Sequence, residues 1–210
     1  DNKRGDLLSL GLSRLQSLAP ACRRVALSAT VADRAGLAAW LSPTAGREDD
    51  VEIILGRGGV KPDIRIAVPD NRMPWSGHMA LYATDLIYQE IRKHRTTIVF
   101  VNTRAQAELI FQALWHVNDD NLPIALHHGS LAVEQRRKVE AAMAQGRLQA
   151  VVATSSLDLG IDWGDVDLVM QVGAPKGVSR LLQRIGRANH RMNEPSKAIL
   201  VPANRFELLE

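Results

Sequence analysis

Between residues 78 and 201 the chain repeats one beat, a short and almost wholly apolar run followed by a helix-length segment. Helices are expected over about 78–93, 105–115 and 133–145, and strands over 97–101, 124–126, 149–153, 166–172 and 198–201, with a basic helix before the last strand. Strands this apolar have no polar face to turn to water, so both faces of their sheet must be covered. With helices between them, they define an α/β fold built on a mostly parallel sheet flanked by helices. In such sheets ligands bind beyond the carboxyl ends of the strands. Three loops meet that description, each directly after a strand: Asn102-Thr103-Arg104, His127-His128-Gly129-Ser130 and Thr154-Ser155-Ser156.

The first part of the chain is less regular. Leu7, Leu8, Leu10, Leu12, Leu15 and Leu18 suit an amphipathic helix stopped near Pro20. A short apolar strand is expected at 24–27, a helix over 31–41 and a buried strand at 51–55. Gly56, Gly58, Gly59 and Pro62 mark a linker, and a strand follows at 63–68 with an irregular stretch at 69–77. The domain boundary falls near residues 56–62.

A second feature is charge. Lys176, Arg180, Arg184, Arg187 and Arg191 lie between Leu168 and Asn193 with no Asp or Glu among them. The four arginines step by four, three and four, so one helix would carry them on one face, with Leu181, Leu182 and Ile185 turned towards a core. Like charges so spaced repel by roughly 0.2–0.5 kcal/mol per pair, which points to an anion supplied from elsewhere. A guanidinium suits a phosphate, because its planar fork matches the oxygens and keeps its charge. Gly186, expected inside this helix, would cost about 1 kcal/mol relative to Ala and would let a ligand approach. The alternative is a plain solvated basic face.

The formal charge is only +3, so the local clustering, rather than the total, argues for a polyanionic partner. A lone cysteine, Cys22, excludes an internal disulfide and a CxxC metal site, and reads as the reduced, half-buried thiol of a cytoplasmic protein. No apolar run approaches the ~18 residues of a membrane span, and no apolar segment follows the charged start as in a signal peptide. The absent initial Met, and a closing 206–210 segment that reads as a helix cut short, lead us to expect a fragment with further domains.

Ser28-Ala29-Thr30, before a helix, is either an N-cap or a relay of phosphate state. In 154–162, hydroxyls and backbone N–H groups at a strand end are donors to phosphate. There Gly160 permits an unusual backbone angle, and Asp158 and Asp162 can accept from hydroxyls or Arg. No His or Cys stands at metal-ligand spacing, so no metal site is expected. His127 and His128 are expected as strand-end polar residues rather than catalysts. Trp40, Trp75, Trp115 and Trp163 are expected to pack, Trp75 being the most exposed and able to stack on a base.

Taken in order, S-A-T (28–30), I-V-F-V-N-T-R (98–104), H-H-G-S-L with E-Q-R-R (127–137), A-T-S-S-L-D-L-G-I-D (153–162) and Q-R-I-G-R (183–187) resemble motifs III to VI of superfamily 2 helicases. R-M-P-W-S-G-H, G-R-A-N-H-R and I-L-V-P-A-N-R-F-E look like the Lhr (large helicase-related) group, in particular its ligase-associated bacterial branch. The resemblance spans about residues 24–206. It implies two RecA-like lobes with ATP between them and single-stranded or partly duplex DNA across their tops. Residues 1–56 would be the last part of the first lobe, 57–76 a linker and entry strand, and 77–210 the second lobe.

Carried over, Ser28, Ala29 and Thr30 couple nucleotide state to strand movement. Asn102, Thr103, Arg104, Gly129, Ser130, Thr154 and Ser155 lie along the nucleic-acid backbone, and Gly160 and Asp162 face the nucleotide. Gln183, Arg184 and Arg187 form the last motif, with Arg187 as the finger on the γ-phosphate. Where the pattern places a second finger this chain has His190, with Arg191 beside it, and the role stays open between them. No GxxxxGK[ST] loop and no DExH box occurs in the chain, so the resemblance places the Mg²⁺ ligands upstream of Asp1 and leaves this piece inactive alone. The expected setting is DNA repair at the nucleoid, with a ligase or nuclease as partner. RNA or hybrid substrates, or a non-catalytic docking module, are the competing readings.

Overall fold

The computed structural model describes residues 3–28, 31, 33–43, 51–56, 60–68, 73–77, 79–157, 165–188 and 194–209. The chain falls into two compact units, 1–58 and 59–210.

In the first unit, helix α1 (Lys3–Leu18) is followed by α2 (Arg34–Leu41). The leucine pattern makes α1 a helix, yet none of its side chains is buried among the described residues. Arg24 holds the unit together: its guanidinium donates to Gln16 Oε1 at 3.2 Å, to the Leu12 carbonyl at 3.3 Å, and to the Leu41 and Ser42 carbonyls at 3.4 Å. Asp33 starts α2, its carboxylate accepting from the Gly36 N–H at 2.9 Å. It therefore takes the capping place that a hydroxyl of the 28–30 segment could have filled.

Two expected strands are absent here. Residues 24–27 and 51–55 pair with no strand among the described residues, and apart from the half-buried Arg24 and Val51 their side chains are open to solvent, Ile54 being 83 % exposed. Apolar, β-branched composition favours a strand only where a ladder partner and a covered face exist. Cys22, expected half-buried, is exposed.

The second unit is the sheet that the apolar runs predict. Strands β1 (Asp63–Ile66), β2 (Thr97–Phe100), β3 (Ile124–His127), β4 (Ala150–Ala153), β5 (Leu168–Val172) and β6 (Lys197–Val201) pair in parallel throughout, in the order β1-β6-β5-β2-β4-β3. Helices α3 (Thr84–Lys93), α4 (Arg104–His116), α5 (Val133–Ala144) and α6 (Val178–Ile185) punctuate them. β2, β4 and β5 are buried at every position. Their side chains alternate between two cores: Val99, Val152 and Met170 pack with Ile87, Ile110 and Leu114 of α3 and α4, whereas Ile98, Phe100, Val151 and Val169 pack with Met143 of α5. Each such side chain contributes about 1.5–3 kcal/mol by leaving water, which is why these runs stand out in the sequence.

The chain leaves β2 for β3 and β4 on one side, then crosses to β5 and β6 on the other. The carboxyl end of β2 is therefore the topological switch point, where a parallel sheet opens a crevice for ligand.

Candidate nucleic-acid interface

The residues beyond β2 are fixed by a reciprocal cap. The Thr103 hydroxyl accepts from the Gln106 N–H at 3.2 Å, and the Gln106 side chain reaches back to accept from the Asn102 N–H at 2.9 Å. This T-x-x-Q pattern satisfies two donors at the start of α4 and locks the loop. The Asn102 amide then donates across the switch point to the Ala174 carbonyl at 2.8 Å, beyond β5. A side chain on Gly173 (φ +80°) would begin 3.0 Å from that amide nitrogen, so both the turn and the close approach require glycine here.

On the other side of β2, Arg104 donates to the Ser130 hydroxyl at 2.8 Å, and the Ser130 N–H donates to His128 Nδ1 at 3.3 Å. Arg104, Gly129, Ser130 and Ser155 are exposed, and Asn102 and Thr154 are half-buried. The Thr154 N–H donates to the His127 carbonyl at 3.3 Å, and Ser155 opens a turn at 155–157. The structure thus gathers Asn102, Thr103, Arg104, Gly129, Ser130, Thr154 and Ser155 along one rim, with Thr103, Arg104, Gly129, Ser130 and Ser155 exposed.

Beneath this rim lies a network that the motif spacing did not reveal. His127 is buried, its Nε2 3.0 Å from Glu140 Oε1 and its Nδ1 2.9 Å from Ser156 Oγ. Burial pulls its pKa below the usual histidine value, against the opposing pull of Glu140. With the ring neutral, Nε2–H donates to the carboxylate and Nδ1 accepts from the serine hydroxyl. His128 is also buried; its Nε2 stands 3.4 Å from Glu108 without the alignment of a hydrogen bond. Both histidines are strand-end polar residues, as expected, and they lie beneath the rim.

The basic helix departs from expectation. α6 ends at Ile185, and Gly186 is its C-cap with ordinary right-handed φ, so Arg187 lies beyond the helix and the arginine stripe is not one helical face. Arg184 belongs to the interior. It is 2 % exposed, its Nη1 donates to Gln171 Oε1 of β5 at 2.5 Å, and its guanidinium lies 4.7 Å from the Phe100 ring centre. The expected phosphate-facing place for Arg184 is therefore corrected: Phe100 and Gln171 draw it under the sheet. Gln171 in turn donates to the Val172 and Gly173 carbonyls at 3.2 and 3.0 Å, holding the turn that Asn102 grips. The one signal for this was a single Gln within the apolar L-V-M-Q-V run.

Ile185 is buried and Leu181 half-buried, while Leu182 faces solvent, against expectation; Gln183 is exposed and Arg187 half-buried. Ser28 is exposed. Ala29, Thr30, Asp158, Gly160, Asp162, Trp163, His190 and Arg191 lie outside the described residues. Trp40 and Trp115, expected to pack, are exposed. Among the described residues no three His, Cys, Asp or Glu side chains converge as metal ligands, and no helix is long and apolar enough to cross a membrane.

A parallel sheet with helices on both faces, a polar rim at its switch point and a basic helix after β5 define a RecA-like helicase C-terminal lobe. The chain belongs to the helicase conserved C-terminal domain family, whose sequence model matches residues 81–193. Within that class its relatives are Lhr helicases, as the sequence resemblance implied. ATP-dependent helicase Lhr-Core of Methanothermobacter thermautotrophicus is 39% identical over 220 residues, covering all of this chain and 25% of that protein. Lhr helicase/uracil glycosylase of Escherichia coli is 34% identical over 256 residues, covering all of this chain and 16% of that protein. Among solved structures, Mycobacterium smegmatis helicase Lhr bound to ssDNA and AMP-PNP superposes with a TM-score of 0.83 at 37% identity, over 99% of this chain and 28% of that one. The yeast protein Dbp5 bound to RNA and ADP BeF3, at 18% identity and a TM-score of 0.68, shares the fold. The chain spans about a quarter of the length of the Lhr-Core relatives it matches.

Proposed function

We propose that this chain is the part of an ATP-dependent DNA helicase or translocase that grips single-stranded DNA by its backbone and senses the nucleotide through Arg187. The observation that carries the proposal is the rim: Asn102 is tied to the loop after β5 and Arg104 to Ser130 in the loop after β3, so three strand-end loops are fixed side by side with Arg104 and Ser130 exposed. Contacts of this type position a strand by its phosphates and carry no sequence information. The Lhr structure with bound ssDNA and AMP-PNP supports the substrate assignment.

The residues after β5 fit an anion. From Leu168 to Ala188 every charged side chain is Lys or Arg. Arg187, beyond the cap of α6, is the group that would stand at a terminal phosphate and offset its developing charge. ATP would supply the free energy of phosphoanhydride hydrolysis. No Mg²⁺ ligand set is found among the described residues, and the chain contains no phosphate-loop motif, so the other lobe would bind metal and triphosphate. Residues 1–56 would belong to that other lobe, with 57–76 as linker and entry strand, and Ser28 would carry nucleotide state between lobes. The repair setting and a ligase or nuclease partner rest on the resemblance to the ligase-associated branch.

The test is single-turnover ATP hydrolysis, with and without single-stranded DNA, in a helicase core that joins this lobe to one bearing a phosphate loop. Arg187→Ala is expected to lower the DNA-stimulated rate by roughly 10³–10⁵, the range of arginine fingers in nucleotide hydrolases. An unchanged rate would remove Arg187 from the site.

A further inference from the structure

Beyond β6 the chain builds a second polar-aromatic surface on the same edge of the sheet. Asn204 donates its side-chain amide to the Gly77 carbonyl at 2.7 Å, the Arg205 N–H donates to the Pro74 carbonyl at 3.1 Å, and Arg205 Nε donates to the Met73 carbonyl at 3.2 Å. These three bonds fasten the 73–77 loop to the segment leaving β6. What they hold in place is Trp75. The Arg205 guanidinium lies over its indole at 4.5 Å from the ring centre, and the Phe206 ring stands 6.3 Å away, tilted by 54°. Trp75 is nonetheless 63 % exposed and Phe206 59 %.

Met73 at the start of this loop is buried, yet the largest apolar side chain of the loop is left in water, so core packing does not account for Trp75. The Arg205 cation covers one indole face, and 63 % of the residue remains in water. A guanidinium behind an indole both orients the ring and adds positive charge beside it. Open aromatic faces next to cations are what successive bases of a single strand stack upon.

The position agrees. All six strands are parallel, so the segment after β6 shares an edge with the loops after β2, β3 and β4. β6 lies two strands from β2, roughly 10 Å at the usual strand spacing. Glu207 lies close to both regions. Its Oε2 accepts from the Ala203 N–H at 2.6 Å, and its Oε1 lies 3.9 Å from where a Gly173 side chain would begin, a point 3.0 Å from the Asn102 amide. The aromatic surface therefore continues the backbone-gripping rim past β5.

We propose that Trp75, backed by Arg205 and flanked by Phe206, is a stacking platform for a nucleobase of single-stranded nucleic acid. The proposal rests on the reading of the rim as a nucleic-acid surface and adds a base contact to it. Stacking tolerates every base, so the platform lends affinity without sequence preference.

The experiment measures binding of two probes to this chain at low salt, a short oligothymidylate and an abasic strand of the same length, which keeps the phosphates and lacks the bases. Trp75→Ala is expected to weaken oligothymidylate binding roughly 5- to 150-fold and to leave the abasic strand nearly unaffected, while Trp75→Tyr retains most of the affinity. Because Trp75 is exposed, the alanine variant should fold, and its circular dichroism confirms that. Unchanged oligothymidylate binding overturns the platform, as does an equal loss on both strands. Arg104→Ala serves as the control, since it should weaken both probes alike. If it does so while Trp75→Ala weakens neither, the platform fails and the rim stands; if the wild-type chain binds neither strand, both fall.

Discussion

Replacing Arg184 tests whether this member of the Q-R-I-G-R motif is structural. Its guanidinium is 2 % exposed, donates to Gln171 at 2.5 Å and lies 4.7 Å from the Phe100 ring centre. Arg184→Met keeps much of the volume but removes a hydrogen bond from a charged donor, worth about 1.5–3 kcal/mol, and leaves the Gln171 oxygen buried with one donor fewer. It also removes the cost of burying a cation, which offsets part of the loss. The expected net destabilisation is about 1–3 kcal/mol. Gln171→Leu should cost more, about 3–5 kcal/mol, because it strips a buried cation of a partner. The double variant should then recover about 1–3 kcal/mol relative to the sum of the singles, the signature of a direct contact. Urea unfolding followed by circular dichroism reads the sum, and hydrogen exchange at β2 and β5 amides assigns it to the second unit. Additive single losses, or a loss under about 0.5 kcal/mol for Arg184→Met, would refute the reasoning.

His127 sets a pH dependence. Its folded pKa lies below that of the unfolded chain because burial disfavours the imidazolium, so the unfolded state binds the proton first as pH falls. Stability should be level above about 6.5, fall as pH drops below it, and level off below the folded pKa; His127→Gln should flatten that fall in pH-dependent unfolding. Arg187→Ala, expected to suppress stimulated hydrolysis, should leave oligonucleotide affinity largely unchanged, and a matching loss of binding would move Arg187 from the nucleotide to the strand.

The sheet was legible because β2, β4 and β5 are buried on both faces and read as uninterrupted apolar runs. The rim followed from it, since in a parallel sheet every loop after a strand falls on one edge. Composition misled at 24–27 and 51–55, where apolar residues meet no ladder partner among the described residues. It misled again at Trp40 and Trp115, because aromatic size does not by itself secure a covered face. In α6 the spacing placed Arg180 and Arg184 on one stripe, yet a ring on β2 and an amide on β5 draw Arg184 inward; periodicity along one helix does not encode partners on other strands. The sequence singled out Trp75, but nothing in it connects that loop to Arg205 and Phe206, which only the β1–β6 pairing brings alongside.

The central claim is that the carboxyl edge of this sheet holds a strand by its phosphates, and the salt dependence of single-stranded DNA binding tests it most directly. Plotting the logarithm of affinity against the logarithm of salt concentration should give a steep line shared by oligonucleotides of unrelated sequence. Arg104→Ala should flatten its slope by about 0.7, one phosphate contact. A slope that Arg104→Ala leaves unchanged, or affinities that follow base sequence instead of salt, would contradict the account.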